Sequence, residues 1–187
     1  MKYIVIFASG SGTNAQKIAE YFSDSNNARV VMIYSNRADA HVLQRANKLH
    51  IPSVVFNKTD FYETNLILNQ LDQLQPDLIV LAGFLWKFPE KIVRAFPKRI
   101  VNIHPALLPK YGGKGMYGDH VHRAVIENSE AESGITIHYV NENYDEGAII
   151  FQASFNIDDD ETPETLAEKV HELEYKYYSK VIGQILA

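Results

Sequence analysis

The chain has 187 residues, 46% hydrophobic and 22% charged, a composition that suits one domain (1–187) with a core of its own and excludes disordered or fibrous classes. Cysteine is absent, which excludes disulfide scaffolds, thiolate nucleophiles and cysteine-ligated metal sites. The net charge of -5 offers no general attraction to nucleic acid, so no nucleic-acid partner is expected, and an anionic ligand needs a local device such as a helix N-terminus.

In chain order, "MKYIVIFASG" reads as a first strand (3–8), too short and wrongly flanked for a secretory signal. No stretch approaches the roughly 18 apolar residues of a membrane span, so no membrane partner and a cytoplasmic location are expected. The glycine-rich "SGSGTN" leads into a helix over 14–22, followed by a strand over 29–35, a helix over 39–50 and a strand over 53–56. A helix over 60–74, a strand over 77–83, a helix over 89–96 opened by Pro89, and a strand over 99–104 continue the alternation. Short β-branched strands alternating with helices predict right-handed βαβ units in a Rossmann-like, doubly wound, mostly parallel sheet. After residue 105 the pattern changes: a loop with five glycines between 112 and 134 and a helix near 121–128 lead to strands at 134–140 and 148–157. The link between those strands is too short for a crossover helix, which makes them antiparallel C-terminal strands. An amphipathic helix from Thr162 to Leu186 closes the chain; its aromatic stretch "YKYYSKVI" (175–182) fits internal packing at least as well as a dimer interface, so monomer and homodimer both stay open.

Three constellations carry candidate chemistry. "SGSGTN" (9–14) lets backbone N–H groups and a helix N-terminus face one anion, with Thr13 and Asn14 as further donors; the plainer reading is a tight strand-to-helix turn. The same residues fit G-x-G-x-x-A (Gly10, Gly12, Ala15), the weak form of the dinucleotide fingerprint. That reading needs an acidic residue after the second strand, where Asp39 is the nearby carboxylate and Arg37 would face a 2′-phosphate. Asn102 and His104 lie two apart at the end of a strand stopped by Pro105, so their side chains share a face at the tip where such sheets bind ligands. Taken alone, the pair fits structure as well as catalysis. Asp145, in the turn "NENYDEGA" (141–148), reads by itself as a turn carboxylate. If that turn folds over the strand tip, an amide, an imidazole and a carboxylate converge, a set suited to adding a nucleophile to a carbonyl. His120, His122 and His138 raise the thought of zinc, but no third ligand has a readable spacing and no metal is expected; strand packing is the plainer account of His138.

"GSGTN", "SNRADA", "LAGF" (81–84), "NIHPALLPKY" (102–111), "HVH" (120–122) and "DEGAII" (145–150) occur in order across nearly the whole chain. Together they resemble the folate-dependent formyltransferases, in the branch that acts on 5′-phosphoribosylglycinamide; "NIHP.LLP" is the most specific of them. The resemblance implies the formyltransferase fold, 10-formyltetrahydrofolate as co-substrate, and formyl transfer to the glycinamide amine in de novo purine synthesis. Position by position it implies Asn102, His104 and Asp145 as the catalytic trio and Gly12, Thr13 and Asn14 as the substrate-phosphate loop. It further implies that Glu174 contacts the nucleotide substrate, that His120 flanks the site, and that Leu85, Trp86, Lys87 and Phe88 line the folate pocket with Asn102. Within that resemblance, "KGMYGD" (114–119) is a longer link than expected and 56–63 holds no arginine. A nucleotide sensor using only the phosphate loop, and a formyltetrahydrofolate hydrolase, are the alternatives.

Overall fold

Strand β1 (Lys2–Phe7) is fully buried from Ile4 to Phe7, and its alternate residues enter two different cores, as a central strand covered on both faces must. A computed structural model describes residues 1–187. After β1 come α1 (Thr13–Phe22), β2 (Ala28–Ser35), α2 (His41–Lys48), β3 (Ser53–Val55), α3 (Leu66–Leu74), β4 (Leu78–Leu81), α4 (Glu90–Ala95) and β5 (Ile100–His104). Then follow α5 (Asp119–Glu127), β6 (Glu132–Tyr139), β7 (Ile149–Asn156) and α6 (Pro163–Leu186). The seven strands form one sheet in the order β3-β2-β1-β4-β5-β6-β7. The first five are mutually parallel, β6 runs antiparallel to β5, and β7 runs antiparallel to β6. Because the chain winds outward from β1 to β3 and then returns to β4 on the other side, strand order reverses between β1 and β4, and a crevice opens beyond their carboxyl ends.

One face packs Ile4 and Ile6 with Ala15 and Ile18 of α1, Val42 and Ala46 of α2, and Val170, Tyr178 and Ile182 of α6. The other packs Val5 and Phe7 with Ile67 and Leu71 of α3, Ile92 of α4, and an aromatic group including Tyr34, Phe56, Phe61 and Phe88. Helix α6 begins with a capping box at Thr162 and Pro163 in its first turn. Its buried Leu166, Val170, Glu174, Tyr178 and Ile182 recur every four residues on one stripe, and the Tyr178 hydroxyl donates to the Leu81 carbonyl (2.9 Å), pinning the end of β4. "YKYYSKVI" therefore supplies Tyr178, Val181 and Ile182 to the core and leaves Tyr175 exposed.

The doubly wound sheet and its antiparallel C-terminal strands stand as the sequence predicts. The helix predicted over 60–74 does not: a single wide helical turn, Thr59–Glu63, breaks before α3. Asn57 and Asp60 bond each other's backbone N–H groups, Thr64 is extended, and its hydroxyl accepts from the Leu66 N–H (3.2 Å), so side-chain hydrogen bonds restart the helix.

Candidate active site

Above the carboxyl ends of β1, β4 and β5 lies a cavity of about 610 Å³, lined at one end by Ser9 to Asn14 and at the other by Asn102, His104 and Asp145. At the first end Gly12 caps α1 with φ 73°, a left-handed conformation that glycine adopts freely, and a Cβ there would lie 2.4–2.7 Å from Val42. No side chain caps the helix and no acidic residue sits in its first turn, so its leading N–H groups carry their partial positive charge toward the cavity. The loop is braced from α2, where the Val42 N–H donates to the Gly10 carbonyl (3.1 Å) and Arg45 Nε to the Ser11 carbonyl (2.7 Å).

At the second end three separate segments meet. Asn102 and His104 share one face of β5 while Val101 and Ile103 enter the core behind them. The β6–β7 turn brings Asp145 Oδ2 to 3.6 Å from His104 Nδ1 and Oδ1 to 3.5 Å from Asn102 Nδ2, and the Gly113 N–H donates to Oδ2 (3.0 Å). Asp145 and Tyr111 both have positive φ, 54° and 56°, and both bear on His104: the Tyr111 carbonyl accepts from its Nε2 (2.7 Å). His138 stands directly opposite Asn102 in the β5–β6 register. Its Nδ1 faces the Tyr139 carbonyl (2.9 Å), which only accepts, so the neutral ring leaves Nε2 as the acceptor for Asn102 Nδ2 (3.1 Å).

The charges follow from these contacts. Burial lowers the His104 pKa, and the pull of Asp145 and the Tyr111 carbonyl in the opposite direction does not restore it. The expectation that Asp145 keeps this imidazole charged is therefore not met in the free protein: His104 is neutral, with its proton on Nε2. For Asp145 burial acts upward, but the bond to His138, the charge of His104 and the Gly113 N–H together hold its pKa below the ordinary value, so it is a carboxylate. A carboxylate beside a neutral imidazole can take up a proton, and the Asn102 contact of 3.5 Å is long enough to yield its N–H to a substrate oxygen.

Between these ends, Glu174 is buried and accepts from Asn14 Nδ2 (2.8 Å); burial raises its pKa although Asn14 and His171 act against that. His122 also lines the cavity, its Nδ1 buried without a partner, and burial followed by the neighbouring His171 lowers its pKa to about 4. His120 does not line the cavity: α5 starts at Asp119 and turns Val121, His122 and Val125 inward, leaving His120 exposed and edge-on to Tyr117. Of the four residues expected at a folate pocket, Leu85 lines the cavity, with its N–H donated to Ser9 Oγ (3.0 Å). Trp86 packs on Phe56 and Phe61, Phe88 is buried on Phe7, Lys87 is exposed, and none of the three lines it. The histidines are not gathered into a set that could hold one metal ion.

A family model described as formyl transferase matches residues 2–182. The chain belongs to the formyl transferase family. A phosphoribosylglycinamide formyltransferase of Bacillus subtilis is 36% identical over 100% of this chain and 95% of its own length. The chloroplastic phosphoribosylglycinamide formyltransferase of Arabidopsis thaliana is 43% identical over 98% of this chain, which spans 65% of that longer protein. Among solved structures, glycinamide ribonucleotide transformylase 1 of Geobacillus kaustophilus superposes with a TM-score of 0.90 at 35% identity, each chain covered completely.

Within this family frame, three cavity residues escape the sequence reading. His138 is read as strand packing, yet register sets it against Asn102. His171 lies on the exposed side of α6 one turn before Glu174 and lines the same cavity. His122 replaces His120, and the apolar Val121 and Val125, four apart, are the signal that marks the inward face of α5.

Proposed function

We propose that this chain transfers the formyl group of 10-formyltetrahydrofolate to the primary amine of 5′-phosphoribosylglycinamide, giving the N-formyl ribonucleotide and tetrahydrofolate, and that residues 1–187 act as one catalytic unit. The observation that carries this reading is the meeting of Asn102, His104 and Asp145 at one end of a cavity whose other end is the glycine loop. Full-length similarity to phosphoribosylglycinamide formyltransferases supports it. The ribonucleotide lies with its phosphate on Gly12, Thr13 and Asn14, its middle beside Glu174, and its amine near Asp145. The formyl donor enters past Leu85.

The neutral amine attacks the formyl carbon directly and the C=O π electrons move to oxygen, forming a tetrahedral intermediate. Asn102 Nδ2 donates to that oxygen in place of its long contact with Asp145. The ammonium proton formed on the attacking nitrogen passes to the Asp145–His104 pair. His104, then protonated on both nitrogens, presents a positive charge to the oxyanion while Tyr111 and Asp145 hold the ring. The same proton goes to the folate nitrogen as its bond to the formyl carbon breaks and the carbonyl re-forms.

The deciding assay follows the absorbance change as a 10-formyl folate becomes the free folate. Turnover that requires phosphoribosylglycinamide is expected. Equal turnover without it would make the protein a hydrolase, and none in either mixture would remove the reading.

A further inference from the structure

In the reaction above, the glycine-loop end of the cavity receives a phosphate monoester carrying between about -1.5 and -2 charges near neutrality. A helix N-terminus supplies roughly half a positive charge. Asp145 and Glu174 line the same cavity, and the chain as a whole carries -5, so partial charges alone leave the anion unbalanced. The permanent cations lining the cavity are Arg37 and Lys114. Lys114 follows Gly113, whose N–H holds Asp145, and so belongs to the transfer end.

Arg37 belongs to the other end. Strands β1 and β2 pair in parallel through Phe7 and Tyr34, so the connection after β2 runs beside the glycine loop, and Val42 just beyond it bonds Gly10. The guanidinium is held by Asp39 through Nε (3.1 Å) and Nη2 (2.9 Å), contacts that use one edge of the fork and leave the Nη1 side free. Asp39 itself is a cavity outsider with a side chain 72% exposed, and a solvated pair of this kind orients a charge more than it neutralises it. Arg45, by contrast, is occupied with the Ser11 carbonyl and Gln16 and does not line the cavity.

We propose that Arg37, oriented by Asp39, binds the phosphate of the substrate and sets the preference for the ribonucleotide over its dephosphorylated riboside. The proposal rests on the function argued above and assigns the cation of its phosphate subsite.

The test is steady-state kinetics of the wild type, Arg37→Gln, Arg37→Lys and Asp39→Asn, each with phosphoribosylglycinamide and with glycinamide riboside. Arg37→Gln is expected to raise KM for the ribonucleotide about tenfold or more, the usual scale of one charge-assisted hydrogen bond. Its KM for the formyl folate and its kcat/KM on the riboside stay within about twofold of wild type, since neither carries the phosphate. Arg37→Lys falls between, keeping the charge without the planar fork, and serves if the glutamine variant fails to fold. Asp39→Asn keeps the cation and shifts KM for the ribonucleotide less than Arg37→Gln does. An unchanged KM in both Arg37 variants, or an equal loss on the riboside, overturns the assignment while leaving the function intact. Absence of wild-type turnover with the ribonucleotide overturns both together.

Discussion

The glycine-loop end of the cavity is made of six consecutive residues, Ser9 to Asn14, whereas the transfer end draws on β5, the Tyr111–Gly113 segment, β6 and the β6–β7 turn. The first is largely backbone and is shaped by one turn and one helix start. The second is side chains held by each other, with Asp145 alone touching His104, Asn102, His138 and Gly113. Binding a phosphate needs fixed dipoles, which local geometry delivers. Moving a proton and stabilising a transient oxyanion needs groups whose charge can change, and those must come from chemically different residues brought in from a distance.

The contrast breaks most sharply at the transfer end. Asn102→Ala and His104→Ala should each lower kcat roughly 100- to 1000-fold, the usual cost of a lost oxyanion donor, with KM for both substrates changed only a few fold. Retention of more than a tenth of wild-type kcat would remove the role assigned to that residue. At the loop end, Gly12→Ala should act through structure: the positive φ and the clash with Val42 should destabilise the fold by about 1–3 kcal/mol in urea titrations. Adding Val42→Ala should recover the steric part and leave the φ strain. A smaller effect belongs to His138→Leu, which deprives Asn102 of its acceptor and should lower kcat about tenfold at unchanged KM. If kcat stays within twofold, His138 only packs.

Stability against pH sharpens the same comparison, because the lowered histidines belong to the cavity wall. His104 and His122 take up protons in the unfolded chain before the folded one, so the stability tied to their neutral forms is complete above about pH 6.5 and falls as pH falls. For His122 the loss runs from there to about pH 4, at up to about 1.4 kcal/mol per pH unit. His122→Asn should flatten that slope in urea titrations at successive pH values. Asp145 adds a loss at lower pH, since a depressed carboxylate gives up its stabilisation as pH falls through its folded value. The smallest change should be Glu174→Gln, which fixes the neutral form that burial favours; its melting temperature at pH 7 should match or slightly exceed wild type.

The sequence exposed what depends on neighbours in the chain. Buried strands such as Ile79–Leu81 announce themselves as unbroken apolar runs, and Asn102 with His104 stand out because a strand tip has no packing use for two polar side chains on one face. What escaped depends on long-range register. His138 meets Asn102 only once β6 turns antiparallel to β5, and no local spacing records that pairing. Trp86 and Phe88 misled for the opposite reason: aromatic residues near a strand end suggest a ligand pocket, but the core formed by Phe56, Phe61 and Phe7 takes them first. The broken helix over 59–74 shows local polar side chains prevailing over a sound apolar period.

The most direct test of the transfer end is a single-turnover measurement on Asp145→Asn with both substrates saturating, alongside Kd values for the ribonucleotide and a non-reactive folate analogue. The account predicts a rate of formyl transfer lower by roughly 100-fold or more with both Kd values within about threefold of wild type, because the carboxylate handles a proton rather than binding either partner. A transfer rate within tenfold of wild type, or a loss that appears only as weaker binding, would contradict it.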